Sequence, residues 1–216
     1  VQNSMLGLKD WEDSVAKRTG QAIDKAKSAY YAEERMHGKI ADKIEAMDRG
    51  YVQPFIKLMA ETSKKLNTSL DEFDLFLKAR YARTGNAIIA KRNPDLYAKG
   101  GTRHGMTNDQ ADQLLAQFQA EGKTKAFENL AKIIYQMQDL KLKLIEKYGL
   151  ETPEIIQSMR DTHGEYYVPA KGKAGEPSLP GKGAGLDIKS SGLKAALGRM
   201  SPSENSIIHT INDLEA

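Results

Sequence analysis

The sequence contains no cysteine among its 216 residues, which excludes disulfide bridges and thiolate metal sites. It also has no apolar run long enough to cross a bilayer, and it lacks the basic-then-apolar pattern of a signal peptide. We therefore expect no membrane span. The chain begins with Val1 and stops at Ala216 inside an unfinished helical pattern, so we interpret it as a fragment of a longer protein.

Strong charge of one sign is lacking as well. The 32 basic and 29 acidic residues leave a formal net charge of +3, which is too small to indicate nucleic-acid binding by itself. The hydrophobic fraction of 40% and the charged fraction of 28% are typical of long helices with hydrated outer faces. A chain of this length can bury a sizeable core without a metal or a disulfide.

Short sequence signals mark where helices begin and end in the first 165 residues. Apolar residues recur at three- and four-residue steps from Ile23 onwards, which predicts a helix that ends near Gly50. Ser69 and Glu72 have the spacing of a capping box. They should begin a long helix that the Asn-Pro step at Pro94 must end.

The same kinds of signal continue downstream. Thr107 and Gln110 form a second capping box after a glycine-rich loop. A long amphipathic helix is predicted after Gly122 and ends before Gly149, which suits the left-handed position past a helix end. Pro153 is typical of the first residue of a further short helix.

Helical periodicity disappears after residue 165. The Tyr-Tyr-Val-Pro stretch at 166–169 is predicted to be extended, and residues 170–200 combine glycine, proline and lysine in a flexible basic linker. A last helix should begin at Ser201 and carry an apolar face between Ile207 and Leu214. Little chain remains to bury that face, so we expect the helix to need a partner.

The sequence therefore predicts an all-α fold, an irregular multi-helix bundle with long helices, a Gly/Pro/Lys-rich linker and a C-terminal helix. Its predicted parts are a helical domain at 1–165, the extended turn and linker at 166–200, and the start of a further helix at 201–216.

No arrangement typical of a catalytic or metal site is visible. The four histidines at positions 37, 104, 163 and 209 are dispersed and form no HExxH pattern, so we expect no metal and no cofactor. His163 and Glu165 stand close together, but a solvated turn is the favoured interpretation. The serines at 191, 201 and 203 have no convincing base nearby. We expect no catalytic residue in this chain.

Two clusters could bind an anion. Arg103 and His104 lie in a glycine-rich loop before a predicted helix, where backbone amides and Arg103 could hold a phosphate. No strand precedes this loop and no P-loop lysine follows it, so an ordinary connector is favoured. Arg80, Arg83 and Asn86 should share one helix face and could hold an anion or a partner's carboxylates, although a solvated face is favoured.

Four segments, taken in order, resemble the helical modules of very large multidomain phage proteins, often called large polyvalent proteins, and of related internal virion proteins. Residues 71–94 are similar to a YLYARHAxERN…NP stretch, with Tyr81 at the usual histidine and Thr84-Gly85 at the usual Glu-Arg. The other three are similar to GGSGMTNAEA, YVPL and GRxSxAxN motifs. Their matching positions are Gly105, Met106, Thr107, Tyr167, Val168, Pro169, Gly198 and Arg199.

The resemblance implies a non-enzymatic helical assembly or scaffold segment, packaged in the virion and ejected into the host cell with DNA. Its partners would be other domains of the parent chain or other virion proteins, and a homo-oligomer is compatible with it. Any enzymatic domain would lie elsewhere in the parent polypeptide. Two alternatives stay open: a nucleic-acid-contacting module using arginine and lysine phosphate contacts, and an enzyme built on the loop around Arg103 and His104.

Overall fold

The computed structural model describes residues 6–21, 24, 27–172 and 197–215. It is 75% helical, with nine α-helices and no β-strand in this described part, which confirms the all-α prediction. The helices are α1 Leu6–Thr19, α2 Ala29–Met47, α3 Gln53–Leu66, α4 Leu70–Arg92, α5 Pro94–Ala98, α6 Asn108–Ala120, α7 Thr124–Lys147, α8 Pro153–His163 and α9 Ser206–Glu215, with a π-helical turn at Asp48–Val52.

The chain divides into two compact units, Val1–Gly50 and Tyr51–Ala216. In the first unit, Glu12 of α1 accepts hydrogen bonds from the Ser28 hydroxyl at 2.6 Å and from the backbone amide of Ala29 at 2.9 Å. Helix α1 was not predicted from the sequence. Ile23 and Ala26, where the predicted first stripe begins, lie outside the described residues, and the helix we predicted there starts at Ala29.

In the second unit, α4 lies at the centre of the core. Phe73 and Phe76 of α4 pack against Phe127 of α7 with ring centroids 5.5 and 5.3 Å apart, and Phe118 of α6 lies 5.2 Å from the same ring. All four rings are almost fully buried, and each such side chain contributes about 1.5–3 kcal/mol of hydrophobic stabilisation. The cluster fixes α6 and α7 against α4.

Both predicted capping boxes are confirmed. Ser69 and Glu72 exchange side-chain and backbone hydrogen bonds at the start of α4, and Thr107 and Gln110 do so at the start of α6. Gly149 has a φ of +66° after α7, in the left-handed region that glycine favours. These signals could be found from the sequence because each depends on residues within four positions of one another.

The last helix, which we expected to begin at Ser201 and to need a partner, begins five residues later and has its partner within the chain. Helix α9 begins at Ser206 and packs against α7, so that Ile207 and Leu214 are buried. Gln138 of α7 donates a 2.7 Å hydrogen bond to Thr210. Residues 166–172 and 197–215 thus belong to the unit that begins at Tyr51, whereas residues 173–196 of the predicted linker lie outside the described residues.

Within the described ranges, no helix has the length and the hydrophobicity that a bilayer crossing requires.

Candidate functional site

The four segments that carry the family resemblance meet in space. We call this place, where α4 meets residues 100–107, 166–169 and 197–206, the junction. Its hub is Asn86 on α4, whose buried amide donates to the Met106 carbonyl at 3.0 Å and to Asn108 at 2.9 Å, while its oxygen accepts the Arg103 amide at 2.9 Å. One side chain therefore fixes the backbone of the glycine-rich loop at two points.

A short antiparallel bridge joins the second and fourth segments. Thr102 and Arg199 exchange backbone hydrogen bonds of 2.9 and 2.8 Å. Two glycines permit this approach: Gly105 has a φ of +75° and lies so close to Ser201 that an added Cβ would be 2.3 Å from its carbonyl oxygen. A Cβ on Gly198, at a φ of +90°, would be 2.6 Å from the Ile89 side chain. Only glycine fits such positions.

A buried ion pair links α4 to the start of α9. Lys78 lies 2.6 Å from Asp74, and both side chains are less than a tenth exposed. Lys78 also donates a 3.0 Å hydrogen bond to the Ser203 carbonyl, and Asp74 accepts the Ser206 amide at 2.8 Å. Burial raises the pKa of Asp74, while the charge of Lys78 opposes that rise. Each member of the pair also bonds to the backbone of residues 203–206, so the pair stabilises the contact between α4 and the start of α9.

The third segment contributes Tyr167 and a buried turn. The hydroxyl of Ser206 donates to the Pro169 carbonyl at 2.9 Å, and Val168 is fully buried. The Tyr167 ring contacts Tyr81 edge to face at 5.7 Å and lies 4.9 Å from the ring of His163. Residues 166–169 thus pack against the aromatic rings of the junction through Tyr167.

Two neutral histidines lie in this aromatic group. His163 shares a 2.5 Å hydrogen bond with the Tyr81 hydroxyl, and burial lowers its pKa to about 4. His104 shares a 2.9 Å hydrogen bond with Ser203, and burial lowers its pKa well below the usual range. Burial also raises the pKa of Tyr81. All three groups are uncharged near pH 7, which is poorly suited to general acid–base work at that pH.

Arg103 is buried although its side chain is charged, and no ion pair with a described carboxylate is recorded for it. Its side chain is only 3% exposed. The guanidinium carbon lies 5.9 Å from the Tyr81 ring centroid and 5.7 Å from that of Tyr167. Its aliphatic stem packs against Gly85, where an added Cβ would be 2.9 Å away.

The two arginines of the predicted anion-binding helix face, Arg80 and Arg83, have different neighbours. The guanidinium of Arg80 stacks on Tyr166 at 4.2 Å and lies 3.7 Å from Glu128. Arg83 forms an exposed ion pair with Asp112 on α6. Arg80, Arg83 and Arg103 therefore do not form one continuous cationic surface in the described part of the chain.

The structure brings most predicted positions together and separates the remaining two. Those that meet at the junction are Asn86, Arg103, His104, Gly105, Met106, Thr107, Tyr167, Val168, Pro169, Gly198 and Arg199. Arg83 lies outside it, and Arg80 contacts it only through Tyr166. Sequence analysis missed Asp74 and Lys78, and it placed His163 in a solvated turn, whereas the structure bonds it to Tyr81. The i,i+4 spacing of Asp74 and Lys78 among buried aromatic residues was the one available signal for a buried pair.

Within the described residues, no group of three or more histidine, aspartate or glutamate side chains could hold a metal ion. Comparison with known protein families, with curated proteins and with solved structures finds no match to this chain.

Proposed function

We propose that this chain is a non-enzymatic helical assembly segment of a large multidomain phage protein, packaged in the virion and delivered into the host with the DNA. The partners are neighbouring domains of the parent chain or other virion proteins. The sequence resemblance of the four motif segments is the first support for this proposal. The second is a structural observation that favours a structural role for the residues of these motifs.

That observation is the convergence of the four motif segments into the junction. Asn86, Gly105 and Gly198 are engaged with backbone or packed against it. Residues that are bonded in this way stabilise a fold. A motif whose members hold one another in place over more than a hundred residues supports a structural module.

The neutral state of His104, His163 and Tyr81 supports the same conclusion. Their pKa values lie far from 7 in the directions that burial dictates, so none of them gains or loses a proton readily at neutral pH.

Purified virions of the phage that encodes the chain provide the test. An antibody raised against residues 51–216 should detect the protein inside intact, protease-treated particles, and in host fractions after infection. Particles that lack the protein would contradict the assignment to the virion.

Two pairs of genomic variants test the structural role. Gly105→Ala should reduce incorporation into particles because it opens the junction, while Gly122→Ala, which adds backbone strain at a position with nothing within 4 Å, should reduce it less. Tyr81→Phe and His104→Gln should leave infectivity intact wherever stability is retained. Loss of infectivity in stable, fully packaged particles of either variant would indicate chemistry at the junction and overturn the non-enzymatic assignment.

A further inference from the structure

Residues 197–215, which we call the C-terminal segment, pack on a part of the chain that precedes them. Their bonds to other parts of the chain reach α4, α7 and the loops at 100–107 and 166–172. We call residues 51–172, which hold these partners, the body. Segment and body belong to the same compact unit, and they meet in an interface of the kind that two separate chains form.

Helix α9 supplies the apolar part of this interface. Ile207 is fully buried and Leu214 is only 6% exposed. Between them, Thr210 accepts a 2.7 Å hydrogen bond from Gln138 of α7. The removal of two large apolar side chains from water favours association, and the buried polar contact between them fixes the register of α9 on α7.

The residues before α9 add bonds that a particular sequence has to satisfy. Lys78 donates to the Ser203 carbonyl at 3.0 Å, and Asp74 accepts the Ser206 amide at 2.8 Å. The two members of a buried ion pair thus require a carbonyl and an amide three residues apart in the occupant. Their loss would leave buried charges with fewer partners, which is costly. The occupant that fits is this same sequence, from the same chain or from another copy.

The covalent connection does not decide which copy supplies the segment. Residues 173–196 lie outside the described residues, and a stretch of that length reaches at most about 80 Å. This reach exceeds the roughly 30 Å diameter of a small domain. The segment can therefore extend to the body of a neighbouring copy, where it would make the same contacts as in its own chain. Exchange of an identical element is a low-cost route to a dimer.

We propose that the body is a docking surface for the C-terminal segment of a second copy, so that two chains exchange residues 197–215 and form a symmetric dimer. The closed monomer and the exchanged dimer share the same interface contacts, so concentration decides between them. The segment of the same chain competes at an effective concentration of the order of 1 mM. The proposal does not depend on the proposed role in a virion, and failure of either leaves the other standing.

Cysteine crosslinking of full-length chains tests the exchange, because the unmodified chain contains no cysteine. Thr102 and Arg199 exchange two backbone hydrogen bonds, an antiparallel geometry with Cα atoms about 5.5 Å apart, which a disulfide can span. Thr102→Cys and Arg199→Cys are made as separate chains, unfolded, mixed and refolded together under oxidising conditions. Exchange should give the mixed disulfide between the two variants in excess over both symmetrical disulfides.

Concentration and a double variant provide the controls. The mixed disulfide should fall from about half of the chains at about 1 mM to about one hundredth at about 10 µM, as the effective concentration predicts. A single chain that carries both Thr102→Cys and Arg199→Cys should instead form its disulfide within the chain at the lower concentration. That result shows that the bridge between these two positions forms and can be oxidised.

Light scattering of the unmodified chain keeps the proposal testable if the cysteine variants fail to fold. Refolding at about 1 mM should give dimers, whereas refolding at about 10 µM should give monomers. Monomers under both conditions would overturn the proposal. A mixed disulfide no more abundant than the symmetrical ones would also overturn it, since random collisions of folded chains give that result.

Discussion

The Tyr81 hydroxyl on α4 lies 2.5 Å from Nδ1 of His163 at the end of α8. The two residues are 82 positions apart in the sequence and meet only in the fold. The pair ties α8 to the junction. It also places a titratable ring where its protonation state affects stability.

Lowering the pH should destabilise the fold through His163. Burial lowers the pKa of His163 from 6.5 to about 4 in the folded state, so the unfolded chain binds this proton first. The part of the unfolding free energy that depends on neutral His163 is fully present above about pH 6.5 and is lost as the pH falls through 4. It amounts to roughly 3 kcal/mol. Denaturant unfolding at a series of pH values measures it.

The variant His163→Gln separates this effect from other titrations, including that of His104, whose folded-state pKa is also lowered. The difference in unfolding free energy between the unmodified chain and the variant should change between pH 6.5 and 4. A difference that is constant over this interval would show that His163 titrates normally in the folded state.

Removal of the buried positive charge of Lys78 should strongly destabilise the fold. Lys78→Met leaves the buried Asp74 carboxylate without its counter-charge and the Ser203 carbonyl without its donor, so we expect a loss of about 3–5 kcal/mol. Lys143→Met is the matched control, because Lys143 forms an i,i+4 pair with Asp139 but is 65% exposed. Its loss should stay below about 1 kcal/mol. Similar losses of unfolding free energy for both variants in urea would contradict a stabilising role of the buried Lys78–Asp74 pair.

Two glycines with similar backbone angles should respond differently to alanine. Gly105→Ala adds a Cβ within 2.3 Å of the Ser201 carbonyl oxygen, whereas Gly122→Ala meets nothing within 4 Å, and their φ values are +75° and +70°. Both variants incur about 1–2 kcal/mol of left-handed strain, but Gly105→Ala should lose a further 1–3 kcal/mol through overpacking. Calorimetric melting of both variants measures the difference. Equal melting temperatures would mean that Ser201 does not pack against Gly105.

The side-chain amide of Asn86 should contribute more to the free energy of unfolding than the amide of an exposed asparagine does. Asn86→Ala removes three hydrogen bonds and leaves the Arg103 amide and the Met106 carbonyl buried without that partner, so we expect a loss of about 2–4 kcal/mol. Asn212→Ala, at an exposed position of α9, should change stability by less than about 0.5 kcal/mol. Hydrogen exchange should also speed up at the Arg103 amide. Unchanged protection there would contradict the role of Asn86 as hub.

Local chemistry explains what could be predicted from the sequence. The starts of α4 and α6 depend on capping residues three positions apart, and the end of α4 depends on the Asn-Pro step. Such signals act over one helical turn, so they can be found without the tertiary structure. The partner of α9 could not be found in this way, because an apolar face matches many others and only packing selects α7.

The burial of Arg103 could not be predicted for a related reason. Its charge favours an exposed position, and its loop carries no nucleotide-binding pattern. What buries it is the absence of a side chain at Gly85, together with the rings of Tyr81 and Tyr167. Arg103, the α4 residues Tyr81 and Gly85, and Tyr167 lie in three separate parts of the chain, so their meeting is a property of the fold and not of any one motif.

The contact between Lys78 and the Ser203 carbonyl joins residues 125 positions apart, and this separation dictates an order of events during synthesis. Helix α4 leaves the ribosome long before Ser203, whose carbonyl accepts the Lys78 hydrogen bond, and Ser206, whose amide donates to Asp74. Local helices form in microseconds, whereas contacts over such separations form late. A nascent chain therefore cannot complete the contacts of Lys78 and Asp74 until residue 206 has emerged, and termination before that point leaves this charge pair, which is buried in the complete fold, without its backbone partners.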